Sequence, residues 1–200
     1  MALRDFLGIA TVYSRASEFV GGNARATYVR DHVRPTAGER VLDIGCGPGD
    51  ILAYLPKNVR YVGFDASEAY VEKARSHFGE RGTFHCASIT REMIGAFSDF
   101  DIVMANGVLH HVDDAAAIDL LEIARLALRP TGRLVTLDGC YEQGQSSIAR
   151  YLLSRDRGRY VRCRFEYERL ASRQFGSIRV DIRRDLMRIP YTHIIMECRL

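Results

Sequence analysis

The segment of residues 40–65 (RVLDIGCGPGDILAYLPKNVRYVGFD) constrains the fold of this chain more than any other stretch. Its apolar start predicts a buried strand, which stops at a turn containing Gly45, Gly47 and Gly49. A second predicted strand ends at Asp65. A strand that stops at closely spaced glycines brings bare backbone to the carboxyl edge of a sheet, where a ligand can approach closely. The segment therefore predicts half of a nucleotide-binding α/β fold.

Two carboxylates in this segment select the kind of nucleotide. Asp43 lies just before the glycine turn, where a carboxylate repels a pyrophosphate and favours a cation. Dinucleotide sites use the spacing G-x-G-x-x-G, and Asp50 stands where the third glycine is required. Asp65 lies 22 residues after Asp43, close to the spacing at which an acidic residue binds ribose hydroxyls. We therefore expect a nucleoside with a positively charged, phosphate-free tail.

These motifs resemble those of one enzyme family. The run VLDIGCGPG (41–49) is similar to the first motif of the class I S-adenosylmethionine-dependent methyltransferases, and VGFD (62–65) is similar to their second. FDIVMANGVLHHV (100–112) and LRPTGRLVTL (128–137) resemble the later landmarks, so the resemblance covers residues 38–138. It implies S-adenosyl-L-methionine as cofactor, with S-adenosyl-L-homocysteine as product.

The resemblance also implies the architecture. The expected α/β fold is a three-layer α-β-α sandwich around a seven-stranded, mostly parallel sheet. The implied strand order is 3-2-1-4-5-7-6, with the last strand antiparallel. N-terminal helices precede the sheet, and a short cap segment follows the fifth strand.

Cofactor-binding roles carry over residue by residue. In the family a tyrosine of a leading helix reaches the methionine carboxylate, which suggests Tyr13, although the same tyrosine also fits a helix packed on the sheet edge. The loop after the third strand usually offers an acidic side chain to adenine; here Ser88 and Ile89 stand near that place. The backbone around Asn106 is expected to receive the methionine amine. The complete predicted set is Asp43, Gly45, Cys46, Gly47, Gly49, Asp65, Ala66, Ser88, Ile89, Asn106 and Tyr13.

Two adjacent histidines, His110 and His111, are the catalytic candidates. By resemblance they project near the transferable methyl group. A neutral imidazole there is suited to take a proton from an acceptor hydroxyl or amine, since its unperturbed pKa lies near neutral pH. The alternative is a structural histidine bonded to backbone. Asp113 and Asp114 are expected to cap the next helix rather than to act in catalysis.

The chain length of 200 residues and its 47% hydrophobic content suit one domain. We predict an N-terminal helical segment (1–36), a cofactor-binding core (37–138), an acceptor-side cap (139–164) and a C-terminal helix with two strands (165–200). The tyrosines and arginines of the cap favour an aromatic or anionic small molecule; a solvated helical excursion is the alternative.

The composition argues against a membrane protein, a secreted protein, a disulfide-linked protein and a metalloprotein. No apolar run is long enough to span a bilayer and no signal peptide is recognised, so we expect a cytoplasmic protein without a membrane partner. The five widely spaced cysteines predict neither a disulfide framework nor a metal site, and Cys46 fits a small buried residue. Residues 141–200 hold 13 basic and 7 acidic side chains, which indicates either an anionic substrate or arginine-rich composition.

The predicted function is methyl transfer from S-adenosylmethionine to a small-molecule acceptor by in-line displacement. A nucleic-acid partner is not expected, because basic residues are not interleaved with aromatic ones. The alternatives are a non-catalytic module that binds S-adenosylmethionine and an NAD-dependent oxidoreductase, the latter disfavoured by Asp43 and Asp50. The sequence leaves the methylated atom and the oligomeric state open.

Overall fold

A computed structural model describes residues 24–156 and 158–200, which fold around one mixed β-sheet. In these residues the sheet has eight strands: β1 (Arg40–Ile44), β2 (Arg60–Asp65), β3 (Gly82–Cys86), β4 (Phe100–Asn106), β5 (Leu128–Tyr141), β6 (Arg162–Cys163), β7 (Ser177–Arg183) and β8 (His193–Arg199). Their order is β3-β2-β1-β4-β5-β8-β7, and β6 pairs with β5 outside this path. β1 to β5 pair in parallel, whereas β8 is antiparallel to both β5 and β7. The predicted order is confirmed, with β7 and β8 as the predicted sixth and seventh strands.

Five α-helices occur in the described residues: α1 (Ala24–Tyr28), α2 (Glu68–Phe78), α3 (Asp114–Ala127), α4 (Ser147–Ser154) and α5 (Arg164–Ala171). α1 continues into a π-helical turn, and 3-10 turns follow β1 and β4. The side chain of Asp113 accepts a hydrogen bond from the Ala116 N–H at 2.9 Å and thereby caps α3, as predicted. Each helix of the described residues is too short or too polar to cross a membrane.

The central strands are buried on both faces, which places helices on either side of the sheet. Leu42 and Val103 join one apolar cluster, which includes side chains of α3 and α5. Their sequence neighbours Val41 and Ile102 join a second cluster, with side chains of α1 and α2. Neighbouring strand residues point to opposite faces, so the predicted three-layer sandwich is confirmed.

The fifth strand differs from its prediction. Its sequence, with Pro130 and Gly132 close together, predicts a turn at residues 129–132 before a strand at residues 133–137. Instead β5 begins directly after α3, and Leu128 pairs with Phe100 while Arg133 pairs with Ile102. The predicted turn residues therefore form a bulge inside the ladder. The two-residue strand β6 is too short to leave a periodic pattern, and sequence reasoning missed it. The helix predicted in residues 1–20 lies outside the described residues.

Candidate active site

A cavity of about 830 Å³ opens at the carboxyl edge of the sheet. Its walls come from α1, the turn after β1, the start of α2, the turn after β4, the end of β5, α4 with the loop after it, and the segment that leads into β8. Parallel sheets place ligands at this edge, where strand ends meet loops. Of the predicted site residues the cavity brings together Asp43, Gly45, Cys46, Gly47, Asn106, His110 and His111.

The glycine turn after β1 forms one wall of this cavity. Gly45 has a φ of +75°, and a Cβ added there would lie 2.6 Å from the Val108 side chain. Gly47 also has a positive φ, of +53°, but a Cβ added there would meet no heavy atom within 4 Å. Gly45 is therefore required by packing, whereas Gly47 leaves bare backbone beside open space. Burial raises the pKa of the Cys46 thiol, so this residue is a protonated, buried side chain, as expected.

Asp65, at the end of β2, fixes the glycine turn. One carboxylate oxygen accepts a hydrogen bond from the Gly47 N–H at 2.9 Å, and the other accepts one from the Ser67 N–H at 2.8 Å. Asp65 is not one of the residues that line the cavity. Each oxygen retains a second lone pair, so the carboxylate keeps the capacity to accept further hydrogen bonds.

Asp43 is the most deeply buried acid of the predicted set, with 2% of its surface exposed. The Tyr61 hydroxyl donates to its Oδ2 at 2.7 Å, while Oδ1 is buried and has no hydrogen-bond partner in the structure. Burial raises the pKa of Asp43 to about 7; the Tyr61 bond opposes this effect and the nearby Asp65 charge adds to it. A cation bound at Oδ1 would stabilise the carboxylate.

Three buried oxygens that line the cavity lack partners in the described part of the chain. They are Asp43 Oδ1, Asn106 Oδ1 and Asp138 Oδ2. Buried polar atoms are normally paired, and leaving one unpaired is unfavourable. All three are acceptors, so they are complementary to a ligand that carries hydrogen-bond donors or positive charge. An ammonium group and a sulfonium centre meet this requirement, and a pyrophosphate does not.

His110 is held between two carboxylates. Its Nδ1 lies 2.7 Å from Asp138 Oδ1, and its Nε2 lies 3.5 Å from Asp156 Oδ1. The second oxygen of Asp156 accepts a hydrogen bond from the Tyr191 hydroxyl at 2.6 Å. We call this chain of four side chains (Asp138, His110, Asp156, Tyr191) the carboxylate clasp. It joins the ends of β4 and β5 to the loop after α4 and to the segment before β8.

The clasp keeps His110 charged. Burial disfavours the imidazolium, but the bonds to Asp138 and Asp156 outweigh it and raise the pKa of His110 to about 9. The bonds from His110 and Tyr191 outweigh burial at Asp156 as well, and lower the pKa of that carboxyl. The neutral imidazole that proton abstraction requires is therefore the minor form of His110 at neutral pH. The raised pKa favours the alternative of a structural, positioning histidine, and the role of His110 as a base stays a prediction.

His111 and His193 are the other imidazoles that line the cavity. The His111 ring centroid lies 4.2 Å from that of His110, and its side chain is exposed. His193 begins β8 and lies opposite Gly139 of β5. Burial lowers the pKa of His193 to about 4, and the charge of His110 contributes to the shift. His193 is therefore neutral at physiological pH, and its Nδ1 has no hydrogen-bond partner.

The remaining predicted residues do not line the cavity. Ala66 and Ser88 are exposed, whereas Ile89 packs into the apolar cluster beside α3. Gly49 is buried beneath the turn, where its nearest neighbour is the Phe84 ring. Tyr13 lies outside the described residues. The roles of these residues in cofactor binding stay predictions.

Sequence reasoning missed Asp138, Asp156, Tyr191 and His193. Asp138 ends the predicted fifth strand, so the rule that ligands lie at carboxyl strand ends could have identified it. His193 reaches the same edge only because β8 is antiparallel and begins there. Asp156 and Tyr191 lie in irregular segments and left no sequence signal.

Comparisons with known proteins agree with this geometry. The model of a methyltransferase domain family matches residues 41–132. The match spans slightly less than half of the chain and includes the glycine turn and the end of β4, so residues 41–132 are similar to a methyltransferase domain. A solved relative, the TehB-like methyltransferase from Corynebacterium glutamicum, superposes with a TM-score of 0.66 at 16% identity over 98% of this chain and 97% of that one. Methyltransferases of this family use S-adenosylmethionine as methyl donor.

Two curated relatives show how widely the acceptors of similar domains differ. The ubiquinone biosynthesis O-methyltransferase of Mesorhizobium japonicum is 32% identical over 104 residues, which cover 45% of this chain and 42% of the relative. The tRNA U34 carboxymethyltransferase of Pseudoalteromonas translucida is 34% identical over 108 residues, which cover 52% and 33%. The chain thus spans less than half of the length of either relative.

Proposed function

We propose that this chain transfers a methyl group from S-adenosylmethionine to a small-molecule acceptor. The observation that carries the proposal is the set of unpartnered acceptor atoms, above all Asp43 Oδ1, beside a turn of bare glycine backbone. When bound, the cofactor supplies an electrophilic methyl group on a sulfonium centre. The residues present fit such a group, because the cavity offers acceptors and negative charge where a cationic tail would lie.

Different residues of the chain bind different parts of the cofactor. Asp43 and Asn106 present acceptor oxygens to the methionine amine, and the Gly47 backbone permits close approach of the ligand. Asp65 binds the ribose hydroxyls with the lone pairs that its backbone contacts leave available. The carboxylate clasp fixes the wall opposite the glycine turn. Methyl transfer requires mainly alignment and exclusion of water, which positioned side chains supply without a metal-activated nucleophile.

A small-molecule acceptor is supported by the lining of the cavity. Asp43, Asp138 and Asp156 make its interior acidic, which is unfavourable for the phosphates of a nucleic acid. We therefore do not infer a tRNA acceptor for this site from the tRNA-modifying relative. His111 is the imidazole that we retain as a candidate proton acceptor, since His110 is held in its charged form.

Calorimetric titration with S-adenosylhomocysteine and with NAD tests the cofactor. We expect binding of S-adenosylhomocysteine and none of NAD, because Asp43 repels a pyrophosphate. Binding of NAD alone would identify an oxidoreductase. Incubation with methyl-labelled S-adenosylmethionine and pooled small molecules then separates an enzyme from a binding module, which would take up the cofactor without transferring label.

The ribose contact is tested by combining Asp65→Ala with a 2′-deoxy analogue of S-adenosylhomocysteine. The wild type should lose about tenfold or more in affinity on going to the analogue, because a hydrogen bond to a charged group contributes roughly 1.5–3 kcal/mol. Asp65→Ala should bind both compounds weakly and nearly equally. Because the variant also loosens the glycine turn, only the ratio of the two affinities reports on the ribose; an unchanged ratio would show that Asp65 does not bind it.

A further inference from the structure

The part of the cavity over β5 and β8 is lined mainly by apolar side chains. His193 of β8 pairs with Gly139 of β5, and Leu137 lies two positions before Gly139, so all three face the same side of the sheet. α4 and the segment before β8 complete this part of the wall. We call it the apolar compartment; its side chains are those of Leu137, Leu152, Met187, Ile189, Tyr191 and His193.

The apolar compartment and the glycine turn lie on one face of the sheet, at a distance from each other. Asp43 of β1 pairs with Met104, and Met104 pairs with Val135, which lies two positions before Leu137. These side chains therefore share a face. β4 and β5 separate β1 from β8, and neighbouring strands lie about 4.8 Å apart, so β1 and β8 are about 14 Å apart. The cavity can thus hold one molecule at the turn and a second in the compartment.

Two aromatic rings form a fixed wall of the compartment. A Cβ added at Gly139 would lie 2.6 Å from the Tyr191 hydroxyl oxygen and 2.9 Å from Leu153 Cδ2, so the missing side chain makes room for the tyrosine on the sheet. The rings of Tyr191 and His193 are in contact, with centroids 4.7 Å apart. The Tyr191 hydroxyl is bonded to Asp156, which holds the ring in place.

The clasp leaves neither oxygen of Asp156 without a partner. Its Oδ2 accepts the hydrogen bond from Tyr191. Its Oδ1 accepts one from the Gly158 N–H at 2.8 Å and lies 3.5 Å from Nε2 of His110. Because these contacts already compensate the carboxylate, Asp156 does not require a charged ligand beside it.

The other polar side chains near the compartment also favour an uncharged ligand. Asp138 pairs with the residue after His193 and therefore points to the opposite face of the sheet. Burial lowers the pKa of His193 to about 4, so its ring is neutral. Of the described arginines that line the cavity, Arg25 pairs with Asp50 at 3.5 Å, and Arg155 lies over an exposed tyrosine ring of α4. A charged group in the compartment would lose water without meeting an unpaired, buried counter-ion in the described part of the chain.

We propose that the apolar compartment binds an uncharged, apolar group of the methyl acceptor. Apolar side chains and an apolar group exclude water from each other, and such a group requires no counter-ion. This inference rests on the proposed function and names the acceptor class of the same site. Of the aromatic and anionic acceptors that the sequence favoured, it retains the aromatic class in uncharged form. Leu152, Met187 and Ile189 are then specificity-determining residues.

The first test compares three probes that share one ring and differ in charge at neutral pH: benzyl alcohol, benzoate and benzylamine. Ligand-observed NMR titration measures their dissociation constants for the wild-type protein in saturating S-adenosylhomocysteine. We expect benzyl alcohol to bind about tenfold more tightly than either charged probe, because burying a charge without a partner is unfavourable. Benzoate or benzylamine binding as tightly as benzyl alcohol would overturn the proposal.

The second test removes apolar surface from the segment before β8. Ile189→Ser should weaken benzyl alcohol about threefold or more, because apolar contact area is lost. Leu126→Ser is the matched control: Leu126 is 37% exposed and Ile189 is 36% exposed, but Leu126 lies on α3 and does not line the cavity. The control should keep the wild-type affinity. Equal affinities of the wild type and Ile189→Ser would contradict the proposal.

The third test makes the same kind of change on α4. Leu152→Ser should also weaken benzyl alcohol about threefold or more, whereas Ile148→Ser should not, because Ile148 is 60% exposed on the same helix and does not line the cavity. Equal losses in both variants would assign the effect to the helix and refute the contact. Titration with S-adenosylhomocysteine keeps the two proposals apart. A protein that does not bind it refutes the proposed function, while the ranking of the probes in its absence still tests the compartment.

Discussion

The burial of Asp43 links the ionisation of its carboxyl group to the binding of a ligand. Its Oδ2 is bonded to Tyr61, its Oδ1 has no partner, and its pKa lies at about 7 in the ligand-free protein. Removing a carboxylate from water disfavours its charged form. A bound cation reverses that effect, so binding of the cofactor and ionisation of Asp43 should favour each other.

The affinity for S-adenosylhomocysteine should therefore depend on pH through Asp43. Below a pH of about 7, Asp43 must release a proton for its carboxylate to bind the ligand, so affinity should fall by up to about tenfold per pH unit. His110, with a pKa of about 9, and His193, with a pKa of about 4, do not titrate near pH 7. Calorimetry between about pH 5.5 and pH 8 measures the slope.

The variant Asp43→Asn tests whether Asp43 causes this pH dependence of the affinity. It should bind S-adenosylhomocysteine more weakly at pH 8, by about tenfold, because a bond to a charged acceptor becomes a neutral one. Its affinity should also be independent of pH over the same range. Asp119→Asn, which removes an exposed carboxylate on α3 outside the cavity, serves as the control that retains the wild-type profile. A slope that persists in Asp43→Asn would locate the titrating group elsewhere.

At the scale of elements, the turn after β1 contains two glycines whose missing side chains have different consequences. Gly45 combines a positive φ with a steric limit set by Val108, whereas Gly47 has a positive φ and open space around its missing Cβ. The first residue is required by the fold. The second leaves room for a ligand.

Alanine at the two positions should therefore act differently. Gly45→Ala should lower the free energy of unfolding by about 2–3 kcal/mol, through both backbone strain and overpacking. Gly47→Ala should lower it by about 1 kcal/mol, since only the backbone strain applies, yet it should weaken S-adenosylhomocysteine by blocking close approach. Urea unfolding and calorimetry on both variants measure the two effects. Adding Val108→Ala to Gly45→Ala should recover the packing part alone, and full recovery would contradict the strain argument.

The carboxylate clasp connects elements that are distant in sequence, and it makes stability depend on pH. The pKa of His110 is about 9 in the folded protein, above the unperturbed value of 6.5. A raised folded pKa of a base contributes stability that is complete below the unfolded pKa and is lost as pH rises through the folded value. The free energy of unfolding should thus fall between about pH 6.5 and pH 9.5, by about 3 kcal/mol at most.

Urea unfolding of the wild type and of His110→Gln across this range measures that contribution. The variant should be less stable at pH 6.5 and should show a flatter profile, because glutamine does not titrate. His77→Gln, on the exposed face of α2, is the matched control and should keep the wild-type profile. Parallel profiles for the wild type and His110→Gln would show that the imidazolium does not hold the clasp.

At the scale of the whole molecule, ligand binding should stabilise the fold. The cavity walls come from segments that are far apart in the sequence, so a ligand that fills the cavity binds the folded state and not the unfolded chain. S-adenosylhomocysteine at about 100 times its dissociation constant should raise the free energy of unfolding by about 2.7 kcal/mol. For a chain of this size the melting temperature should rise by about 5–10 °C. Thermal unfolding measures the shift, and NAD at equal concentration should produce none.

The sequence by itself determined β1, β2 and the glycine turn between them, whereas the order of the strands in the sheet was implied by the resemblance. These strands and the turn depend on local signals: runs of apolar residues, glycines at fixed spacing and acids at strand ends. The sequence also placed the cap of α3, since capping involves residues only three positions apart. The predicted cofactor-binding residues Asp43 and Gly47 belong to the same local motif, which is why sequence reasoning could place both at the cavity.

Only the tertiary structure decided the wall opposite the turn and the charge of His110. Asp138 and Asp156 contact His110 from segments 28 and 46 positions away, and Tyr191, 81 positions from His110, contacts Asp156. No short-range pattern encodes such a meeting, because it depends on β8 pairing antiparallel to β5. Burial and two nearby carboxylates then set the charge of the imidazole, and these are properties of packing. Local spacing thus specified the glycine-turn side of the cavity, whereas long-range packing specified the carboxylate clasp.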